Sequence, residues 1–414
     1  MESSQPQPRS PGLMKRAASY LARAHTLRNL VPERIRRLGL YFVSWEDYRK
    51  AQGLAANPFR DAEEVSTYPA KVDVRLGIVK DFAQYHANYI GACRDMGVPY
   101  RLVDISGPDW IDRLEQEPCD AYLVWPEVAL TVWKQMFDER LRVMVEDLGK
   151  IIYPTYDELW MYESKRRMAY WLRAHGFPHA RTWVFYSCDE ALEFGRTADL
   201  PLVYKPDLGA VAKGIEIFRD RGALQRHIRR VFRKGITLPR GDRRDRQWGV
   251  VLLQEYLPDA REWRMMRMGN SYFGYEKIKV GDFHSGSHVW RYDRPSDELL
   301  NLLKDLTDRG GFTSMDADIF ITRDGRLLVN ELQTVFGMGH PYEMCVVDGK
   351  PGRMLHDGRT GAWRFEAGSF CDNRFCNQRV ATLVEQLGRK LDWPPAASRH
   401  GACAGPPAMD GPGD

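Results

Sequence analysis

The sequence lacks the long apolar runs that cross a membrane. No stretch of its 414 residues approaches 18 consecutive apolar residues, and the first residues form no continuous apolar segment of the secretory type. The seven cysteines are scattered, and no two pairs of them, and no pair with histidines, have the spacing of a zinc site. These absences lead us to expect a reduced, cytoplasmic protein.

A large excess of one charge is also absent, because 60 Lys and Arg face 56 Asp and Glu, a net charge of +4. We therefore expect no nucleic-acid partner. Basic residues concentrate at 13–40, which suits either peripheral contact with an anionic membrane or a solvated helix flanking a domain. A second cluster, Arg219–Arg246, suits either an anionic polymer or a solvated loop.

The length allows two or three domains with cores of full size. Apolar residues make up 43% of the chain and charged residues 28%, so most of it should fold. Composition and pattern divide it into a partly disordered basic extension, a small α/β domain, a larger domain, a C-terminal extension and a disordered tail. The boundaries are 1–71, 72–155, 156–345, 346–394 and 395–414.

The small domain should contain a parallel sheet. Short apolar runs at Val74–Val79, Tyr100–Asp104 and Ala121–Trp125, and a last one around Ile151, alternate with helical stretches. Strands that alternate with helices are typical of parallel pairing.

One segment of the larger domain resembles a metal site. Asp318 opens an apolar run, Asp324-Gly325 supplies a two-residue hairpin turn, and the returning strand carries Glu331 and Gln333. Residues two apart on a strand share a face, so these oxygen ligands can converge. Hard oxygen ligands suit Mg²⁺, although an ordinary acidic hairpin has the same pattern.

A loop upstream offers groups for a phosphate. Lys205 ends an apolar strand and is followed by Gly209–Gly214, which contains Lys213, before a second strand returns. The backbone N–H groups of such a loop can fold over a phosphate, and lysines add charge. A simple glycine-rich hairpin is the alternative interpretation.

Three further strands complete the pattern. The strand Trp248–Leu257 ends in polar residues and can present its backbone to a planar base. Glu262 and Arg264 share one face of the next strand, and Lys277 and Lys279 share one face of its partner. Cations on strand faces inside a domain are unusual unless they meet anions.

In this order, over about residues 72–345, the motifs resemble the ATP-grasp superfamily, and most closely its glutathione synthetase and ribosomal-protein glutamate ligase branch. The resemblance implies an α/β fold in which two α+β subdomains grip ATP, preceded by a small parallel-sheet pre-ATP-grasp domain. It implies catalysis by Arg264, Lys277 and Lys279, and Mg²⁺, or Mn²⁺ in its place, at Asp318, Glu331 and Gln333. It implies nucleotide binding by Lys165, Lys205, Gly209, Lys213, Gly214, Gln254, Glu255, Tyr256, Leu257 and Glu262.

The chain departs from that branch at two places. The branch usually ends its metal motif with Glu-x-Asn, whereas Gln333 stands here. It usually has an Arg and an Asn where this sequence has His284 and either Gly286 or Ser287. The amide oxygen of Gln333 can still bind a metal, while the phosphate geometry stays open.

The implied activity is an ATP- and Mg²⁺-dependent carboxylate–amine ligase that forms an amide through an acyl phosphate. A kinase or phosphotransferase acting on a small molecule and a catalytically inactive nucleotide-binding scaffold are the alternatives. Small molecules, peptides or glycans suit the fold as substrates, and a homodimer is compatible with it. His340 and Arg374, in the segment beyond the usual ATP-grasp end, are candidates for the acceptor site.

Overall fold

The computed structural model describes residues 45–209, 212–238, 241–242, 244–284, 289–337 and 344–391. The predictions made for residues 13–40, for the tail 395–414 and for His340 lie outside these ranges. Within them, no helix combines the length and the apolar character that a membrane span requires.

The first domain is a parallel sheet between helices, as the alternating pattern predicts. Its strand order is β2-β1-β3-β4, and every pair is parallel. The strands are β1 (Leu76–Val79), β2 (Tyr100–Val103), β3 (Ala121–Leu123) and β4 (Ile152–Tyr153). The helices are α1 (Trp45–Ala56), α2 (Ala87–Met96), α3 (Trp110–Gln116) and α4 (Thr131–Arg142), the last continued by a π-helical turn at Val143–Asp147.

A small antiparallel sheet follows, with strand order β5-β8-β6-β7. Two helices form a hydrophobic core with it, through residues such as Leu224 and Ile228 of α8. The elements up to this sheet's last strand are α5 (Tyr156–Met161), α6 (Lys165–Ala174), β5 (Thr182–Phe185), α7 (Cys188–Thr197), β6 (Leu202–Lys205), β7 (Glu216–Phe218), α8 (Arg221–Lys234) and β8 (Val251–Glu255).

The largest sheet is antiparallel and has eight strands. Its order is β13-β12-β9-β10-β15-β14, with β11 on β10 and β16 on β15. The elements are β9 (Arg261–Met268), β10 (Ser271–Lys277), β11 (Trp290–Arg291), α9 (Asp297–Gly310), β12 (Ser314–Ile321), β13 (Leu327–Gln333), β14 (Cys345–Val347), β15 (Lys350–His356), β16 (Trp363–Ala367) and α10 (Cys376–Gln386). The α/β fold with two sheet-containing units behind a small parallel-sheet domain is therefore confirmed.

The hairpin between β12 and β13 differs from the sequence prediction. Ile321 pairs with Leu327, so the loop runs from Thr322 to Arg326. The prediction of a two-residue turn at Asp324-Gly325 is therefore wrong. The Thr322 hydroxyl donates to Asp324 Oδ1 at 2.5 Å and accepts from the Arg326 N–H at 3.0 Å, which stabilises the wider loop. Strand β12 also begins four residues before Asp318.

Two buried charged residues join the units. Glu158, in the first turn of α5, accepts hydrogen bonds from the backbone N–H groups of residues 313 and 314 at 2.9 and 2.8 Å, where β12 begins. Arg379 of α10 is 0% exposed and donates to Ser314 Oγ at 3.0 Å and to the Phe336 carbonyl at 2.8 Å. Both residues fix the start of β12, the strand that carries part of the site described next.

Candidate active site

One cavity of about 420 Å³ lies between the small sheet and the eight-stranded sheet. That volume falls in the range of small-molecule sites. Except for Gly214 and Asp318, every residue that the resemblance assigned to catalysis, nucleotide binding or metal binding lines it; Arg374, a candidate for the acceptor site, does not. The cavity has an apolar end and a charged end, which are taken in turn.

The floor of the charged end is one face of the eight-stranded sheet. Asp318 is directly opposite Glu331 on one side and Arg264 on the other, and Arg264 is opposite Tyr275. Side chains directly opposite each other in an antiparallel pair point to the same face. The alternation read from the sequence therefore predicts this face correctly.

A β-bulge adds one more polar group to this face. The register shifts between Asp318 and Ile319, because Asp318 pairs with Glu331 while Ile319 pairs with Val329. Asn330 is the extra residue, and its side-chain oxygen accepts a hydrogen bond from Lys205 Nζ at 2.7 Å. Bulges commonly redirect side chains beside active sites. No pattern in the sequence predicts this contact.

Two lysines enter the cavity from the opposite side. Lys165 begins α6, whose cap Ser164 donates to Asp207 at 2.8 Å, so the loop after β6 holds the start of the helix. Lys165 Nζ donates to the Gly209 carbonyl and lies 3.4 Å from Glu331 Oε1. Burial opposes the charge on Lys165, but Glu331 outweighs it and raises the lysine's pKa.

Lys205 behaves differently because its partner is neutral. Burial lowers the pKa of Lys205 to about 8, although Glu331 acts in the opposite direction. At neutral pH this lysine is a buried cation whose strongest contact is an amide oxygen. Such a group gains much from an added anion, for example a phosphate.

Behind the cavity floor, buried charges interlock. Arg264 forms a bidentate salt bridge with Asp318: its Nε and Nη2 donate to the two carboxylate oxygens at 3.0 and 3.1 Å. Lys277 contacts the same carboxylate and also Glu262 Oε1, the latter at 2.8 Å. Burial favours the neutral form of Asp318, yet Arg264 and Lys277 prevail and lower its pKa. Burial raises the pKa of Glu262.

These contacts place the predicted catalytic residues unequally. Arg264 and Lys277 line the cavity and are held by carboxylates, a fixed arrangement that can stabilise developing negative charge. Strand β10 ends at Lys277, so Lys279 lies beyond it and not on the same strand face. Lys279 Nζ donates to the Pro258 carbonyl at 2.5 Å, at the cavity rim.

The predicted metal ligands fit Mg²⁺ in part. Glu331 and Gln333 face the cavity, and Gln333 Nε2 donates to Glu331 Oε1 at 2.8 Å, which leaves the amide oxygen directed elsewhere. Asp318 is occupied by its two cations. Asp316, which sequence reasoning missed, lines the cavity, and neither of its buried oxygens accepts a hydrogen bond.

Asp316 forms a salt bridge with Arg264, whose Nε lies 3.1 Å from Asp316 Oδ2. Burial raises its pKa to about 8. Among the described residues, no three His, Cys, Asp or Glu side chains are grouped to hold a metal ion. A cation here therefore needs carboxylate and amide oxygens from Asp316, Glu331 and Gln333 together with ligands from a substrate, as Mg²⁺ uses beside phosphates. The signal for Asp316 was its position two residues before Asp318 on one strand.

The apolar end of the cavity suits a planar ring. Val203 and Ile217, directly opposite each other on β6 and β7, line one wall, and Phe320 lines the other. The segment Glu255–Leu257 closes the edge. The Glu255 carboxylate is turned away to Arg181, whose N–H and Nε donate to it at 2.7 and 2.8 Å. A ring here would therefore meet the backbone of this segment.

The remaining predicted residues lie on strand β8 and on the loops around the cavity. Gln254 lines it, and its amide donates to Thr182 at 3.1 Å. Lys213 is exposed at the rim of the glycine-rich loop. His284, noted as a departure from the branch, lines the cavity and lies 3.4 Å from Glu262 Oε2.

No family model matches the chain, and no curated protein matches it. It is similar in structure to the biotin carboxylase domain of Hydrogenobacter thermophilus 2-oxoglutarate carboxylase, solved with MgADP and bicarbonate. That match has 14% identity and a TM-score of 0.49 and covers 66% of each chain, just under two thirds of that domain. The ADP complex of PurK, an N5-carboxyaminoimidazole ribonucleotide synthetase, matches at 15% identity and a TM-score of 0.47, over 68% of this chain and 73% of that chain.

A RimK-domain ATP-grasp protein from Sphaerobacter thermophilus matches at 14% identity and a TM-score of 0.45. It covers 62% of this chain and 90% of that one. Similarities at this level carry no argument about activity, so function must be argued from the cavity. The fold and the cavity define a mixed α/β protein with a ligand site between two antiparallel sheets, the arrangement that the ATP-grasp resemblance implies.

Proposed function

We propose that this chain is an ATP-dependent carboxylate–amine ligase of the ATP-grasp type. The observation that carries the proposal is a single cavity with an apolar slot at one end and buried lysines, an arginine and carboxylates at the other. A nucleoside triphosphate has the matching polarity, with a planar base at one end and polyphosphate at the other. The motif resemblance over residues 72–345 supports the same assignment.

In this proposal the base lies between Val203 and Phe320, and the backbone of Glu255–Leu257 pairs with its edge. Lys165 and Lys205 bind the phosphates, which relieves the cost of burying the Lys205 charge. Asp316, Glu331 and Gln333 are the candidates to hold Mg²⁺, which supplies charge neutralisation on phosphate oxygens. The sequence-based ligand Asp318 instead positions Arg264 and Lys277.

The chemistry follows from where the fixed cations lie. A substrate carboxylate attacks the γ-phosphate, the bond from that phosphorus to the bridging oxygen breaks, and ADP leaves as an acyl phosphate forms. An amine then displaces inorganic phosphate and forms the amide. Negative charge builds on the transferred group, and Arg264 and Lys277 stabilise it without reorganising, because carboxylates already hold them in place.

The test is ADP release by purified protein with ATP and Mg²⁺, on addition of pooled amino acids, sugar acids or short peptides. We expect release that depends on a carboxylate and yields an amide. Arg264→Met should abolish it, while Arg309→Met, an exposed change on α9, should not. The absence of carboxylate-dependent release across broad pools would contradict the proposal, and a stable phosphorylated product would favour a phosphotransferase.

A further inference from the structure

Glu163 is a cavity residue to which none of the roles above has been assigned. It lines the charged end two residues before Lys165. Its Oε2 atom is buried and has no hydrogen-bond partner. A buried carboxylate oxygen without a partner is costly in an apoprotein, so such a group often awaits a ligand.

The backbone holds Glu163 in this position against its own preference. Its φ angle is +62°, in the left-handed region that residues other than glycine rarely adopt. The backbone N–H donates to Gln333 Oε1 at 3.3 Å, so β13 fixes the residue to the cavity floor. Strain maintained by surrounding contacts is characteristic of functional positions.

Glu127, a buried carboxylate of the first domain, already forms a salt bridge with Arg49. Glu127, 3% exposed, follows the end of β3 and accepts from the Arg49 guanidinium at 3.0 Å; the same guanidinium donates to Tyr85 at 2.9 Å. Burial raises the pKa of Glu163 to about 7; Lys165 opposes this shift, and Glu331 and Glu127 add to it. Glu163 therefore lies near a second buried carboxylate, whose charge Arg49 already compensates.

Lys165 partly compensates the charge of Glu163, but it donates no hydrogen bond to Glu163 Oε2. Lys165 Nζ is directed to the Gly209 carbonyl and to Glu331. With phosphates bound by Lys165 and Lys205, the carboxylate of Glu163 would remain at the charged end of the cavity. An anionic substrate would be repelled there, and a cationic one would be attracted.

We propose that Glu163 is a specificity-determining residue that binds the ammonium group of the amine substrate, with Oε2 as the acceptor. The acceptor then arrives as a cation, and it must give up a proton, to water or to a carboxylate, before its nitrogen attacks the acyl phosphate. This inference rests on the proposed ligase activity and names the chemical class of its second substrate. The contact recognises the acceptor and is separate from the phosphate contacts of Lys165.

The experiment compares two nucleophiles with the carboxylate donor found in the pooled screen. Glycinamide is largely a cation at neutral pH, whereas hydroxylamine is largely uncharged and traps acyl phosphates as hydroxamates. Glu163→Gln should raise KM for glycinamide about ten- to hundredfold, the range expected for a lost charge-assisted hydrogen bond. Hydroxamate formation and KM for ATP should change less than threefold.

Glu163→Asp keeps the charge and should restore part of the glycinamide affinity, which a purely structural role would not predict. Glu117→Gln removes the same charge from an exposed ion pair with Arg101 and should behave as wild type. An unchanged KM for glycinamide overturns the inference. Equal losses with both nucleophiles, or a shifted Mg²⁺ requirement, overturn it too, because Glu163 would then belong to the nucleotide or metal site.

Failure of the proposed function has a separate signature. Wild-type protein would then form no hydroxamate with any carboxylate, and the inference would fall with it. Wild-type protein that uses hydroxylamine but not glycinamide retains the ligase assignment and overturns the role of Glu163.

Discussion

Nucleotide binding should weaken as the pH rises above 8, and Lys205 is the reason. Burial lowers the pKa of Lys205 to about 8 in the nucleotide-free protein. A bound phosphate favours the charged form and raises that pKa, so binding above pH 8 must take up a proton. At pH 9 only about a tenth of the free protein carries the charge, so affinity should fall about tenfold between pH 7 and pH 9.

The assay is calorimetric titration with Mg²⁺ and a non-hydrolysable ATP analogue between pH 7.5 and 9.5, a range in which the phosphates are already ionised. Lys205→Arg keeps its charge throughout, so its profile contains only the other titrating groups, Asp316 among them, and should fall about tenfold less than the wild-type profile. Lys205→Met should bind weakly at every pH. Lys134, whose pKa burial also lowers to about 8, contacts Asp138 outside the cavity, so Lys134→Met should keep the wild-type slope. A wild-type profile with the same slope as that of Lys205→Arg would refute the reasoning.

Two further predictions concern stability. Lys277→Met leaves Glu262 and Asp318 buried without this partner, so the free energy of unfolding measured by chemical denaturation should fall by about 3–5 kcal/mol. Adding Glu262→Gln should recover part of that loss. A loss below about 1 kcal/mol would contradict the buried-pair argument. Glu158→Ala removes the acceptor for two buried N–H groups and should cost about 1–3 kcal/mol for each donor left unsatisfied. Amide exchange at residues 313–314 should then rise, more than in Glu158→Gln, and unchanged exchange would argue against this clamp.

The face of the eight-stranded sheet was predictable from alternation. Arg264, Asp318 and Glu331 were separated in sequence, but each stood at a strand position that points one way, and strand pairing brings them together. The order of lysines and glycines predicted the opposite wall. Alternation could not predict the ionic partner of each charged side chain. A carboxylate such as Asp318 on a strand face can bind either a metal ion or two cationic side chains.

The features that the sequence did not reveal depend on irregular backbone. Asn330 reaches Lys205 only because of a bulge, and Glu163 lies in the cavity because its φ angle is positive. Neither conformation follows from residue type, since Asn and Glu are common on surfaces. The long loop at the β12–β13 hairpin was missed for a similar reason: Asp-Gly is a frequent turn pair, but Thr322 stabilises a wider loop.

The packing of α10 has a consequence for biosynthesis. Val380, Leu383 and Val384 of this helix belong to the same buried cluster as Leu76 and Ile78 of β1, about three hundred residues earlier in the chain. On the ribosome, the parallel sheet is complete long before the helix that covers this part of it has been made. The nascent first domain must therefore keep an apolar surface exposed until α10 has been made, which makes it a natural client for chaperones during translation.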